Sequence, residues 1–107
     1  MYDIGIIGAG PSGLFVPFIA GMKGLSCIIF DALEFTGGQC TALYPEKPIY
    51  DIPAIPKILA SDFVKNLEEQ SARFKPEICL SESVIGYYEE GDIFILQTSK
   101  NREFKVK

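Results

Sequence analysis

Asp3-Ile4-Gly5-Ile6-Ile7-Gly8-Ala9-Gly10-Pro11-Ser12-Gly13-Leu14 is the stretch on which the fold turns. Its first half is a short β-branched apolar run ending at glycine, the pattern of a strand buried on both faces, as parallel strands usually are. Such a strand is expected mid-sheet. From Pro11 the period becomes helical: Leu14, Phe15, Phe18, Ile19 and Met22 share a face, Pro11 suits a first turn, and Gly24 is placed to end the segment. Pro17 falls inside this helix, where it removes a backbone donor, and it predicts a bend between Gly13 and Pro17. Ser26 to Phe30 then reads as a second buried strand, closed by Asp31.

Where the first strand meets the helix, Gly8-Ala9-Gly10-Pro11-Ser12-Gly13 is a GxGxxG hexapeptide. Its glycines have separate uses: a tight turn out of the strand, room for a pyrophosphate, and close contact between helix and strand. Backbone N–H groups at the helix start, aided by the helix dipole, would hold the phosphates. The hexapeptide alone is a weak signal. Here it follows a strand, opens a helix and is followed about 20 residues later by the acidic Asp31 at the end of a second strand, which completes a dinucleotide-binding βαβ fingerprint. Asp31 is suited to accept a hydrogen bond from a ribose 2′-OH and would repel a 2′-phosphate, so NADP is disfavoured at this first site and FAD or NAD remains.

Outward from this unit the signals thin. Leu33 to Pro56 has no sustained period and is rich in Gly and Pro; within it the cluster Ile49 to Ile55, punctuated by Pro48, Pro53 and Pro56, excludes a regular helix and favours an extended, ligand-facing segment. Within it, Gly37 and Gly38 would let the backbone approach a flat ligand, Gln39 offers a donor and an acceptor, and Tyr44 offers a ring for stacking, although a plain turn explains these residues equally well. Ser61 is expected to cap a packing helix over residues 62–73, with Asp62 near its positive end and Phe63, Leu67 and Phe74 as an apolar stripe. Glu77 to Leu80, Ser83 to Tyr88, Ile93 to Thr98 and Glu103 to Val106 read as strands, the last three forming an antiparallel meander. The expected class is α/β: a Rossmann-like βαβ unit with a parallel sheet core plus an antiparallel meander, incomplete at 107 residues.

Composition narrows the function. A net charge of -4, from 14 acids and 10 bases with no long run of either sign, gives no footprint for nucleic acid or an anionic membrane. The longest apolar stretch, Gly13 to Met22, is far short of the roughly 20 residues of a membrane span. Cys27, Cys40 and Cys79 match neither a CxxC pair nor a zinc half-site, and there is no histidine, so no metal site is expected and a reduced, cytoplasmic setting fits. Cys40, without a partner, reads as a small apolar filler rather than a redox thiol.

GAGPSGL at residues 8–14, Asp31 after the second strand, GGQCTALYPEK at 37–47 and IYDIPAIPKI at 49–58 together resemble the thioredoxin-reductase-like class of ferredoxin–NADP reductases, which are homodimeric FAD enzymes. GGQ is shared with thioredoxin reductases, whereas TALYPEK followed by YDIP is narrower. The resemblance runs along essentially the whole chain and corresponds to the first third of such an enzyme. Residues 1–107 would therefore be the N-terminal portion of an FAD-binding domain, with the NADP-binding domain absent. It implies FAD as cofactor, NADP(H) as substrate of the missing domain, and ferredoxin or flavodoxin as partner. By the same resemblance Gly8, Gly10, Ser12 and Gly13 would surround the pyrophosphate and Asp31 would meet the adenosine ribose. Gly38 and Gln39 would lie by the flavin, Tyr44 would stack on the isoalloxazine, the Val84 backbone would meet the adenine, and Asp51 would lie near the flavin. No residue of the chain is expected to act as acid or base; the redox chemistry belongs to the cofactor. Two other readings stand beside this one: a thioredoxin-type disulfide reductase, and a truncated remnant that binds nucleotide weakly or not at all.

Overall fold

A computed structural model describes residues 1–107. Its centre is a strand of four residues, β2 (Cys27–Phe30), the one strand buried along its whole length. Ahead of it in the chain lie β1 (Ile4–Ile7) and α1 (Pro11–Met22), and after it α2 (Gln39–Ala42), β3 (Pro48–Ile49), β4 (Ile58–Leu59), α3 (Ala60–Ala72), β5 (Glu77–Cys79), β6 (Val84–Glu90), β7 (Ile93–Thr98) and β8 (Glu103–Val106). β1, β2 and β5 form a parallel sheet in that order, with Ile4 opposite Cys27 and Phe30 opposite Cys79. β6, β7 and β8 form the expected antiparallel meander, and β3 and β4 a small hairpin.

The period of two in β2 sorts its side chains onto the two faces of the sheet. Ile29 packs with Ala9, Leu14, Val64 and Leu67 on the helical side, while Ile28 and Phe30 pack with Cys79 and Val106 on the meander side. Ile28, Ile29 and Phe30 are almost fully buried, and burial of each contributes about 1.5–3 kcal/mol. Phe30 meets Phe104 edge-on, with ring centroids 5.1 Å apart. The parallel sheet is thus held between α1 and α3 on one face and the meander on the other. Tyr2 ties the two sheets together: its N–H donates to the Lys105 carbonyl at 3.1 Å, and its carbonyl accepts from Lys107 at 3.0 Å.

Four expectations change. β1 is an edge strand rather than a mid-sheet one, and Ile7 at its end is 70% exposed; an apolar run reports a strand's suitability for burial, not which neighbours it finds. α1 spans Pro11 to Met22 with Pro17 inside it, as expected, but its inward residues are Leu14, Pro17 and Ala20, leaving Ile19 and Met22 exposed. The helix has no charged residue, so periodicity could not choose its inner face. α3 starts at Ala60 with no side-chain cap, because the Ala60 and Ser61 N–H groups donate to the Lys47 and Pro45 carbonyls at 3.0 and 2.8 Å. A turn of backbone thus replaces the expected Ser61 cap. Finally, the segment from Leu33 to Pro56 holds the short helix α2 and the strand β3, elements too short to show a period.

Candidate functional site

The glycine loop joins the carboxyl end of β1 to the first turn of α1, the edge at which open α/β sheets bind ligands. Gly8 has φ +108°, a conformation that residues with a Cβ rarely adopt. A Cβ on Gly13 would collide with the Gly8 carbonyl oxygen, so this glycine sets how closely α1 approaches the loop. Gly10 differs from both. It caps α1 with an extended φ of -73°, and a Cβ there would meet nothing within 4 Å. The fold has no need of a glycine at Gly10, and the space before it is open. Ser12 lies exposed in the first turn of the same helix.

Asp31 has both carboxylate oxygens engaged. One accepts from the Ala9 N–H at 2.7 Å and the other from the Leu33 N–H at 2.8 Å. The acid therefore latches the glycine loop to the end of β2. Since a carboxylate can accept about four hydrogen bonds, capacity for a ligand hydroxyl remains. Gly8, Asp31 and Val84, far apart in sequence, line one cavity of about 150 Å³ together with Ile7, Phe30 and Glu82. Larger cavities lie elsewhere, such as one of about 450 Å³ between Leu14, Ile29, Ser71 and Ile78; it is lined by no residue of the glycine loop and lacks its donors.

The second glycine pair folds onto the first loop. Gly37, with φ +104°, donates its N–H to the Ala9 carbonyl at 2.8 Å, and a Cβ on Gly38 would lie 3.3 Å from the Gly10 Cα. The pair thus packs backbone against backbone beside the open space at Gly10. Gln39 opens α2 and is exposed. Tyr44 and Asp51 line a separate cavity of about 390 Å³ with Cys40, Lys47, Ile49 and Tyr50. Tyr44 is 48% exposed, with the Lys47 ammonium 4.9 Å from its ring centroid. The structure therefore groups the expected residues in two places, Gly8, Asp31 and Val84 in one and Tyr44 and Asp51 in the other.

Sequence reasoning missed one cluster. The buried Glu82 accepts from Thr98 Oγ1 at 2.6 Å and from Arg102 Nε at 3.0 Å and Nη2 at 2.5 Å. The Arg102 guanidinium holds the Glu82 carboxyl at about 2, below the ordinary range. Nothing in the sequence pairs these residues, which sit 20 positions apart. Cys27 and Cys79 are also buried, and burial pushes both thiols up, away from the reactive thiolate.

No protein-family model matches the chain. It is 55% identical over 105 residues to a ferredoxin–NADP reductase of Rickettsia canadensis and 54% identical to that of Rickettsia akari, covering 98% of this chain in each case. In sequence this chain is similar to the ferredoxin–NADP reductases. It spans about a third of their length, 31% of each. Among solved structures, a Streptococcus pyogenes thioredoxin reductase superposes with a TM-score of 0.84 at 25% identity, over all of this chain and 33% of that one. A steroid monooxygenase bound to NADP, at 20% identity and a TM-score of 0.76, shares the fold. The likeness to the ferredoxin–NADP reductases thus holds in sequence, while that to these two solved structures holds in the fold. No helix of the chain is long and apolar enough to cross a membrane.

Proposed function

We propose that this chain forms the FAD-binding portion, residues 1–107, of a flavoprotein oxidoreductase that transfers electrons between NADPH and ferredoxin or flavodoxin. The observation that carries the reading is 55% identity sustained over 105 residues, together with a site that suits the ligand. The open space at Gly10, beside the first N–H groups of α1, fits a pyrophosphate. Asp31 keeps its bonds to Ala9 and Leu33 while accepting from the adenosine ribose. Val84 offers backbone to the adenine, and Gly38, Gln39 and Tyr44 lie on the side of the flavin. When bound, FAD supplies the redox chemistry, taking up a hydride equivalent and passing on single electrons. The chain's own residues bind and orient it. In this proposal NADP(H) binds in a domain outside residues 1–107, and the full-length protein works as a cytoplasmic homodimer; three unpaired cysteines accord with a reducing compartment.

A thioredoxin-type disulfide reductase is the second reading, favoured by the fold match at a TM-score of 0.84 but with only 25% identity behind it. Full-length protein that reduces ferredoxin and not a disulfide substrate would decide for the first. For the chain itself, the test is a visible spectrum after incubation with excess FAD and removal of unbound ligand. Retained flavin absorbance that falls in Asp31→Ala is expected. A protein that is folded by circular dichroism yet retains no flavin would refute binding by this chain.

A further inference from the structure

A buried carboxylate that none of these cofactor contacts uses lies beside the adenosine cavity. Glu82 is wholly inaccessible, and it lines that cavity with Asp31 and Val84. Its side chain reaches into the meander, to Thr98 at 2.6 Å and to the forked Arg102 guanidinium at 3.0 and 2.5 Å. Its main chain reaches the other way: the Glu82 N–H donates to the carbonyl of Asp31 at 2.9 Å, and the Asp31 N–H donates to that of Cys79 at 3.0 Å. Just before it, Ser81 has φ +53°, a left-handed conformation uncommon outside glycine, and donates its N–H to the Leu33 carbonyl at 2.8 Å. The crossing from β5 to β6 is therefore stitched to Asp31 on one side and to the β7–β8 turn on the other.

Stability alone is a poor reason for this arrangement, since well-packed apolar residues commonly replace a buried ion pair without loss. A guanidinium forked onto a carboxylate supplies direction, because two parallel donors fix the orientation of their acceptor. Here the oriented element is the crossing that carries Val84 and holds the backbone of Asp31. We propose that Glu82 and Arg102 are positioning residues for adenosine recognition: their pairing holds the crossing against Asp31 so that the Asp31 carboxylate meets the ribose 2′-OH. The proposal rests on the reading of Asp31 as the ribose acceptor.

The test compares ADP with 2′-deoxy-ADP by calorimetry on the full chain, in wild type, Glu82→Gln and Arg102→Lys. Wild type should bind ADP about tenfold more tightly than the deoxy analogue, the value of one hydrogen bond to a charged group. Both variants should bring that ratio close to one. Arg102 is half exposed, so Arg102→Lys keeps a charge without the fork and supplies a folded variant if Glu82→Gln does not fold. Variants that melt earlier but keep the wild-type ratio, or that lose affinity for both nucleotides equally, would overturn the positioning role. A wild-type chain that does not distinguish the two nucleotides would overturn the ribose reading itself, and the proposal with it.

Discussion

Gly10→Ala and Gly13→Ala each add one methyl group to the same loop, and the structure expects them to fail differently. At Gly13 the new Cβ would collide with the backbone carbonyl of Gly8, which no side-chain rotation can relieve. Overpacking of this kind costs about 3 kcal/mol at the upper end, and alanine's better helix propensity returns about 1 kcal/mol, leaving a loss of about 2 kcal/mol. For a domain of this size that lowers Tm by about 8–16 °C. At Gly10 the Cβ would meet nothing within 4 Å and the backbone is already extended. The poorer helix cap and the less flexible unfolded chain offset one another to within about 0.5 kcal/mol, so Tm should move by less than about 4 °C. FAD binding should reverse the order of harm among folded molecules. A methyl group in the open space costs about 1–3 kcal/mol, or about 5- to 150-fold in Kd, in Gly10→Ala. Thermal melts by circular dichroism and FAD titration by flavin fluorescence measure the two effects. A Gly10→Ala protein that melts as early as Gly13→Ala would refute the reading of that space as open, and one that binds FAD like wild type would refute its assignment to the pyrophosphate.

Glu82 is held at about 2 in the folded protein, below its ordinary 4.5, so its ion pair stabilises the fold above about pH 4.5 and that contribution is lost as pH falls toward 2. Acid titration followed by tyrosine fluorescence should show unfolding in this window, with a shallower pH dependence in Glu82→Gln; identical profiles would contradict it. Tyr44→Ala removes the ring of a residue already near half exposed and its contact with Lys47, so stability should change by no more than about 1 kcal/mol, while quenching of bound flavin fluorescence is lost; unchanged quenching would exclude stacking. Ile7, Val16, Ile19 and Met22 are all exposed and β1 is a sheet edge, so the chain by itself should self-associate in sedimentation experiments, and Ile19→Glu should reduce this; a strictly monomeric wild type would count against it.

The βαβ unit was legible because its determinants are local. Glycine at residues 8, 10 and 13, a strand run before them, a helical period after them and Asp31 at the next strand end all act within about 30 residues, and both the parallel pairing of β1 with β2 and the place of Asp31 beside the loop follow. The meander was legible for the same reason, its short strands being separated by turn residues. The motifs at 37–47 and 49–58 carried the family resemblance, since they are specific in residue identity even where they show no period. Tertiary structure alone decided the rest. The edge position of β1 depends on which strands find it, and the inner face of an uncharged α1 depends on what packs there. Backbone carbonyls 13 or more residues away supplied the start of α3 in place of a serine cap. Glu82 and Arg102 come together because the chain crosses from β5 to β6 and returns through a hairpin, and the spacing of charges along a sequence does not record such a meeting. Gly10, alike in sequence to its neighbouring glycines, is set apart by the open space in front of it, and that space exists only once strand, loop and helix have come together.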